Sequence, residues 1–370
     1  MPVPLYLSGV VKILIFLDLA KTISFLDGHY LENSQVSSQK TRENIGAMST
    51  KNQLLAFLKE SKGNWISGEL ISGKMSVSRA AVWKHIQKLR EDGYIIESSP
   101  KKGYNLKKAS DLLLPNEIRE GLTTEIFGRR NIVYFNETDS TNTRAKELAD
   151  QGAPEGTVIV SEKQTDGRGR KGRNWFSPSR EGIYVSLILR PGISPDEAPK
   201  TTLLTAVAVA EALISLTLLK VSIKWPNDIL INGKKIAGIL TEIRAEIDAI
   251  DYIIVGLGLN VNTPDFPDDI KEKATSILIE TGKHFPRVRV IREYLKQYER
   301  YYKIFGKIGF ETILTRWKEL SNIIGRQITV EATGTKRTGQ VQDIDKDGVL
   351  ILKDNAGKYH RIFSGDVRLM

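Results

Sequence analysis

No cysteine occurs anywhere in the 370-residue chain. Disulfides and thiolate metal sites are therefore excluded, and a reducing cytoplasm is the expected compartment. Histidine is scarce too. His29, His85, His284 and His360 are all there are, and their spacing forms no metal-ligand pattern. No GxGxxG opens a helix after the first strand and no GxxxxGKS/T is present, so neither common nucleotide-binding loop is indicated. No Ser/His/Asp set is evident, which leaves nucleophilic hydrolysis without a candidate. Long apolar runs are missing as well. Residues 3–20 are the most apolar stretch, but a spanning helix needs about 20 such residues and this one is interrupted by Lys12 and Asp18. No cation precedes its apolar residues, as a secretory signal would require. No membrane partner is expected; the alternative for this stretch is a weak membrane anchor.

What the chain does have is positive charge, unevenly placed. The formal net charge is +10. Residues 1–48 hold four cations and four acids, whereas residues 49–108 hold twelve Lys/Arg against five Asp/Glu. A local excess of that size points to a polyanionic partner for one small segment. The length allows two or three domains. Residues 1–47, polar between Gln35 and Asn44, read as an over-extended or disordered segment. Residues 48–110 form a small basic domain, 111–320 a large domain and 321–370 a small C-terminal one. The fold class expected is α+β, multidomain.

In the basic domain Leu54, Leu55 and Leu58 place apolar groups on a first helix. A second short helix covers about residues 68–71. Gly73-Lys74-Met75 makes a turn, and Ser76 or Ser78 can cap a third helix. Val82, Ile86 and Leu89 form the buried stripe of that helix. Its other face carries Arg79, Lys84, His85, Gln87 and Lys88, and Gly93 ends it. Residues 94–97 and 104–106 read as strands around the cationic tip Pro100-Lys101-Lys102-Gly103. The pattern resembles a winged helix-turn-helix, whose third helix enters the major groove while the wing touches phosphates. Ser78, Arg79, Lys84, His85, Gln87, Lys88, Lys101 and Lys102 are the DNA-binding candidates. Arg79 and Lys84 lead for the groove, and Lys101 and Lys102 for salt-dependent phosphate affinity. The alternative is a solvated helix face.

In the large domain, strand-like runs at 132–135, 157–161, 183–189, 221–224, 235–243 and 252–257 alternate with helical patterns, notably 140–151 and 200–218. They predict a mixed α/β sheet with helices on it. Five segments break the apolar pattern. Asp139-Ser140-Thr141-Asn142 opens a helix, and its hydroxyls either cap that helix or bind a small polar ligand. Gly167-Arg168-Gly169-Arg170-Lys171-Gly172-Arg173 packs three glycines and four cations with no apolar side chain. It is either a solvated loop or one whose backbone comes close to an anion. Lys224-Trp225-Pro226-Asn227-Asp228 ends a strand with a turn. Lys235 starts an otherwise buried strand. Val255-Gly256-Leu257-Gly258-Leu259-Asn260 has glycines where a neighbour or ligand must approach closely.

In order and spacing, DSTN, QTDGRGRKGRNW, KWPND, KIAGILTE and VGLGLNVN resemble the biotin–protein ligase family. SRAAVWKHIQ in the third helix is similar to the bifunctional members that also repress biotin genes. The match covers about residues 50–370. Lipoate–protein ligases share the fold but would not be expected to show the GRGRKGR loop. The resemblance implies a central sheet of the class II aminoacyl-tRNA synthetase / biotin–lipoate ligase type and a C-terminal SH3-like β-barrel. It also implies two chemical steps. Biotin carboxylate attacks the α-phosphate of ATP, giving biotinyl-5'-adenylate and diphosphate with Mg²⁺ on the triphosphate. A lysine of a biotin carboxyl carrier protein then attacks the activated carbonyl. Neither step needs an enzyme nucleophile.

Carried over residue by residue, Ser140, Thr141, Asn142 and Gln164 look like contacts to the ureido ring. Arg168, Gly169 and Arg170 would hold the biotin carboxylate and phosphate, and Lys235 would polarise both. Lys171, Arg173, Trp175, Lys224, Asn227 and Asn260 would serve ATP, with Trp175 against the adenine. Asp228 would orient the incoming lysine. Lys171 departs from the family pattern, where another arginine is often found. Further partners implied are operator DNA of biotin genes and a second copy of the chain. Glycines in the loop suggest a lid that is mobile when empty and ordered when loaded.

The tail alternates with period 2 at 327–331, 337–344, 349–352 and 358–363, with turns at Asp345-Lys346-Asp347-Gly348 and Asp354-Asn355-Ala356-Gly357. It is either a structural cap or a participant in substrate binding. Two other readings remain: a biotin-responsive repressor with a vestigial ligase site, and a ligase whose front domain no longer represses. Deleting residues 1–47 is expected to leave soluble expression and biotin transfer intact. Loss of either in that shortened chain contradicts the reading of the segment.

Overall fold

The computed structural model of the chain describes residues 49–246, 249–332 and 335–370. The segment 1–47 lies outside them. The chain divides into two compact units, one ending at Ala109 and the other spanning Ser110–Met370.

The first unit is three helices and a hairpin. Helix α1 (Thr50–Glu60) begins at Ser49, whose side chain accepts from the Asn52 amide, and it buries Leu54, Leu55 and Leu58. Helix α2 (Gly68–Met75) is capped by Ser67 in the same way. The sequence reading ended this helix at Ile71 and put the turn at Gly73–Met75. The helix instead runs through those residues, and the left-handed turn falls on Ser76, with φ 53°. Glycine is the usual choice there, but Ser72 Oγ donates to the Val77 carbonyl and closes the turn locally. Helix α3 (Arg79–Glu91) follows, capped by Ser78, with Val82, Ile86 and Leu89 buried. Strands β1 (Ile95–Ser99) and β2 (Gly103–Lys108) pair antiparallel. Gly103 is obligatory at the hairpin. Its φ is +92°, and a Cβ there would collide with the Ile66 carbonyl, which also accepts from Tyr104 N. This is a helix-turn-helix with a two-stranded wing.

The second unit is built on seven strands: β3 (Ile132–Phe135), β4 (Val158–Ser161), β5 (Gly182–Leu189), β6 (Val221–Lys224), β7 (Asp228–Ile231), β8 (Lys234–Ala245) and β9 (Ile250–Asn260). Their order is β3-β4-β5-β9-β8-β7-β6. Only β3 and β4 run parallel. Alternate side chains point to opposite faces, so one strand feeds two cores. On one face Ile159, Ile188 and Ile254 pack with Ala145 and Ala149 of α5 (Thr141–Asp150). On the other, Val158, Leu187 and Val255 meet α6 (Ala198–Thr217), α8 (Arg287–Lys307) and α9 (Glu311–Leu320). All eight residues of β5 are buried because both faces are covered. The span 195–217 is long and apolar enough to cross a membrane by composition, yet it is mostly buried in this core. Two short helices, α4 (Pro115–Arg119) and α7 (Ile277–Thr281), complete the unit.

All six strand runs expected in the large domain are present. The sequence reading missed β7, whose four residues pair back on β6 through the Lys224–Asp228 register. It also passed over α8, whose stripe Val290, Ile291, Tyr294, Leu295 and Tyr298 is helical in period.

The C-terminal sheet holds β10 (Gln327–Ala332), β11 (Thr335–Ile344), β12 (Leu350–Asp354), β13 (Tyr359–Ile362) and β14 (Asp366–Leu369), in the order β13-β12-β11-β10-β14 and antiparallel throughout. Its two predicted turns close on aspartates. Asp345 Oδ1 accepts from Asp347 N and Val349 N, and Asp354 Oδ1 from Ala356 N and Lys358 N. The sequence reading set residues 321–370 apart as a domain. In the structure their apolar core, including Ile328, Val330 and Leu352, is continuous with that of the large sheet. Trp225 Nε1 donates to the Gly348 carbonyl across the junction at 3.2 Å.

A buried ion pair anchors the start of this unit. Arg287 and Glu162 have no exposed side-chain surface and meet at 2.7 Å. Arg287 also binds the Asp111 carboxylate and carbonyl, and Glu162 accepts from Leu113 N. Removing one partner leaves the other charge buried and unpaired. Arg287→Ala is expected to lower unfolding free energy by about 3–5 kcal/mol. Denaturant unfolding of the full chain measures it, and a loss below about 1 kcal/mol, the worth of an exposed pair, contradicts the assignment.

Candidate active site

Where the strands of the large sheet end, a cavity of about 980 Å³ opens. Its floor is the glycine-bearing strand β9. At Gly256 a Cβ would collide with the Asn142 amide, and at Gly258 with the Trp175 indole. The glycines thus admit two side chains of the chain itself, a more specific reason than the close approach inferred from sequence.

One end of the cavity is polar and uncharged. Ser140 precedes α5 but makes no side-chain cap hydrogen bond, so its hydroxyl is free of the capping role. Thr141 N and Oγ1 both donate to Gln164 Oε1, at 2.8 and 3.1 Å, and Gln164 Nε2 donates to Ser177 Oγ at 3.0 Å. Ser186 Oγ lies 2.8 Å from Thr141 Oγ1 and 2.6 Å from Asn142 Oδ1. Asn142 Nδ2 donates to Glu242 Oε2 at 2.8 Å. Thr141, Asn142 and Gln164 are each held by another side chain, so that part of the pocket is set before any ligand arrives. Sequence reasoning missed Ser186, Ser177 and Glu242. The serine within the buried run IYVSLIL, and the glutamate ending KIAGILTE, were the available signals.

The other end is cationic. Lys235 Nζ is 2.7 Å from Asp228 Oδ1 and 5.2 Å from the centre of the Trp175 ring. Arg170 donates to Asn227 Oδ1 at 3.3 Å, and Asn227 Nδ2 to the Ile239 carbonyl at 2.8 Å. Burial pulls the Arg170 pKa below the ordinary arginine value, and the nearby Asp366 and Asp228 work against that fall. Arg168 pairs with Asp166 of its own loop at 3.0 Å. Lys224 lines the wall, and Asn260 turns its amide to the Thr275 carbonyl at 3.0 Å. The buried Trp175 Nε1 has no partner among the described residues.

The loop Gly167–Arg173 is a narrow hairpin. Trp175 N donates to the Gly167 carbonyl and Gly169 N to the Arg173 carbonyl. Gly167 must be glycine, since a Cβ would meet Trp175 O at 2.5 Å. The tip, Lys171 and Gly172, takes positive φ. Beyond it, Lys171 Nζ reaches Asp366 Oδ2 at 3.1 Å, and Arg173 pairs with the same carboxylate. Of the biotin- and ATP-site residues expected from sequence, Lys171 alone is absent from the cavity lining, and its ammonium reaches Asp366 and the Glu331 carbonyl of the C-terminal sheet. Asp366 and Arg368 themselves line the cavity. No local pattern in the tail announced them.

In the first unit the DNA-binding candidates are all on α3 or the wing. Arg79 pairs with Glu69 at 3.0 Å, with both side chains largely exposed. Lys84, Lys88, Lys101 and Lys102 are exposed, whereas Ser78 is used as a cap. Gln87 is half-buried. His85 is half-buried with Nδ1 enclosed, and burial followed by Lys88, Lys84 and Lys51 lowers its pKa.

A family model described as the Biotin/lipoate A/B protein ligase family matches residues 134–260. An HTH domain model matches 50–105, and a biotin protein ligase C terminal domain model matches 323–370. The bifunctional ligase/repressor BirA of Bacillus subtilis (strain 168) is 41% identical over 86% of this chain and 98% of that protein. The chain belongs to the biotin/lipoate A/B protein ligase family. The protein of the same name from Escherichia coli (strain K12) is 30% identical over 82% of this chain and 92% of its own length. Among solved structures, the biotin protein ligase from Aquifex aeolicus in complex with biotin and ATP has a TM-score of 0.57 at 31% identity, over 65% of this chain and 99% of that one. In this ligase-family chain the family model spans the DSTN, GRGRKGR, KWPND and KIAGILTE segments that the fold brings to one cavity.

Asp366 sets an expectation for the loop. Burial pushes its carboxyl up, but hydrogen bonds and charge from Lys171 and Arg173 outweigh this and hold it below the usual carboxylate value of 3.8. A depressed folded pKa means the tether is fully present above the unfolded pKa and is lost as pH falls through the folded value. Asp366→Asn should therefore increase trypsin cleavage within residues 168–173 at pH 7 several-fold. Equal cleavage in the two proteins at pH 7 contradicts the tether.

Proposed function

We propose that the chain is an ATP-dependent biotin–protein ligase and a biotin-responsive transcriptional repressor. One observation carries the enzymatic half: a single cavity joins a pre-set neutral hydrogen-bonding pocket to a cationic end. A ureido ring is a neutral donor and acceptor, which suits Ser140, Thr141, Asn142 and Gln164. A carboxylate meeting a triphosphate is strongly anionic, which suits Arg168, Arg170 and Lys235.

In the first step a biotin carboxylate oxygen attacks the α-phosphorus of MgATP and diphosphate leaves. Arg170 and Lys235 offset the charge gathered as two anions approach. Trp175 lies where it can pack on adenine, and Lys224, Asn227 and Asn260 line the nucleotide side. Among the described residues no group of three His, Asp or Glu is placed to hold a metal ion. Mg²⁺ would enter with the triphosphate as MgATP. In the second step the amine of a carrier-protein lysine attacks the mixed anhydride carbonyl and AMP leaves. Asp228, already on Lys235, is the carboxylate positioned to orient that amine. A lysine of a biotin carboxyl carrier protein is the acceptor.

The finer structural readings belong here as well. We read the central sheet as the class II aminoacyl-tRNA synthetase type and the C-terminal sheet as an SH3-like barrel. Homodimerisation fits an open sheet edge. β7 covers β8 only from Lys234 to Gly238 and Ile239 bonds to Asn227, so the stretch from Leu240 to Ala245 is strand-paired on β9 alone among the described residues. The basic first unit fits operator DNA of biotin genes. A reducing cytoplasm suits a chain with no cysteine.

Arg170→Ala tests the enzymatic half. Biotin-dependent diphosphate release with MgATP should fall by about 100-fold or more, the scale of losing one pre-organised charge contact, or the adenylate should escape into solution. Unchanged release with full retention of adenylate removes Arg170 from the mechanism. Transfer of biotin to a carrier domain, followed by retardation of operator DNA by the loaded protein, separates the two activities.

A further inference from the structure

Helix α3 exposes a residue that its cationic neighbours do not explain. Trp83 follows the buried Val82 yet is 58% exposed. The indole has one polar atom, and it is already used. The amide of Gln87, oriented as its hydrogen bonds require, accepts through its oxygen from Trp83 Nε1 and from Arg90, each at 3.2 Å. The rest of the exposed indole is hydrocarbon. It shares a surface recess with Lys84, Gln87, Lys88 and Glu91. Two ammonium groups beside exposed hydrocarbon disfavour an apolar protein partner and favour a polyanion that itself shows apolar groups.

Gln87 narrows the choice. A glutamine reading adenine needs its oxygen free to accept from N6 and its nitrogen to donate to N7. Here the oxygen is occupied twice, so the amide can address a base only through its N–H donors. A donor beside a hydrocarbon surface is complementary to the thymine edge, which presents an O4 acceptor next to a 5-methyl group in the major groove.

We propose that Trp83 packs on a thymine methyl group of operator DNA while Gln87 donates to O4 of the same base. This rests on the DNA-binding reading given above and goes beyond it by naming the base and the two groups that read it.

The test uses the full chain loaded with biotin and MgATP. A duplex is first selected from a random library by retardation. Each thymine in it is then replaced singly by deoxyuridine, which removes only the methyl group. For the wild-type protein at least one position should weaken binding about three- to fourfold, the worth of one buried methyl. Trp83→Ala should bind more weakly and be indifferent to deoxyuridine at that position, whereas Trp83→Phe should keep part of the response. A wild-type protein that responds at no thymine overturns the proposal without any variant. So does a Trp83→Ala protein that shows the same deoxyuridine profile, which would place the indole on the sugar-phosphate backbone. Failure to select any duplex removes the DNA-binding reading itself, a different outcome from a selected duplex that ignores its methyl groups.

Discussion

Like charges repel, and Arg170, Arg173 and Lys235 gather at one cavity with Lys171 just outside it. Cations gathered this closely are held in place by counter-charge. Asp228 supplies it for Lys235, and Asp366 for Lys171 and Arg173. Much else depends on that constraint. The loop Gly167–Arg173 has no apolar side chain to bury, so its position comes from its own backbone hydrogen bonds and from the carboxylate it reaches. The C-terminal sheet gains a reason to pack where it does, because β14 brings Asp366 to the loop. The carboxylates occupy cations that an incoming triphosphate would also bind, so ligand entry becomes an exchange of anions rather than a simple filling of space.

The neutral half of the cavity solves a different problem. A small ligand with a few polar atoms is recognised when the matching groups are already fixed. Ser186, Glu242 and Ser177 do that fixing from strands and a loop far apart in sequence. Gly256 and Gly258 give the room. The result is a rigid polar pocket beside a hairpin whose tip is tethered by ion pairs, which are screened by salt and displaced by competing anions.

Much of this was legible in the sequence. The helix-turn-helix stripe, the six main strands, the DSTN, GRGRKGR, KWPND and KIAGILTE segments and the glycines of β9 all carry local signals, and the fold brings the last five to one cavity. What was not legible is long-range. β7 is four residues between two turns and exists because β6 and β8 flank it. Ser186 reads as one polar interruption in a buried strand until Asn142 is placed beside it. Asp366 lies 193 positions from its partner Arg173, and only the docking of two sheets brings them together. The turn at Ser76 was misplaced for a local reason: glycine is the default for positive φ, and here a serine takes it. The tether of Lys171 and Arg173 was not legible for the same reason, since their counter-charge, Asp366, stands in the tail rather than in the loop.

The central claim is that this cavity activates a carboxylate on ATP by charge and position alone, with no residue of the chain as nucleophile. The direct measurement mixes the full chain with excess biotin and MgATP in the absence of any carrier protein and follows diphosphate in the first turnover. The account predicts a burst of one diphosphate per active site, with the biotin recovered after denaturation as biotinyl-adenylate and none attached to the chain's site residues. No burst, or a burst whose biotin remains covalently bound to a side chain lining the cavity, contradicts it.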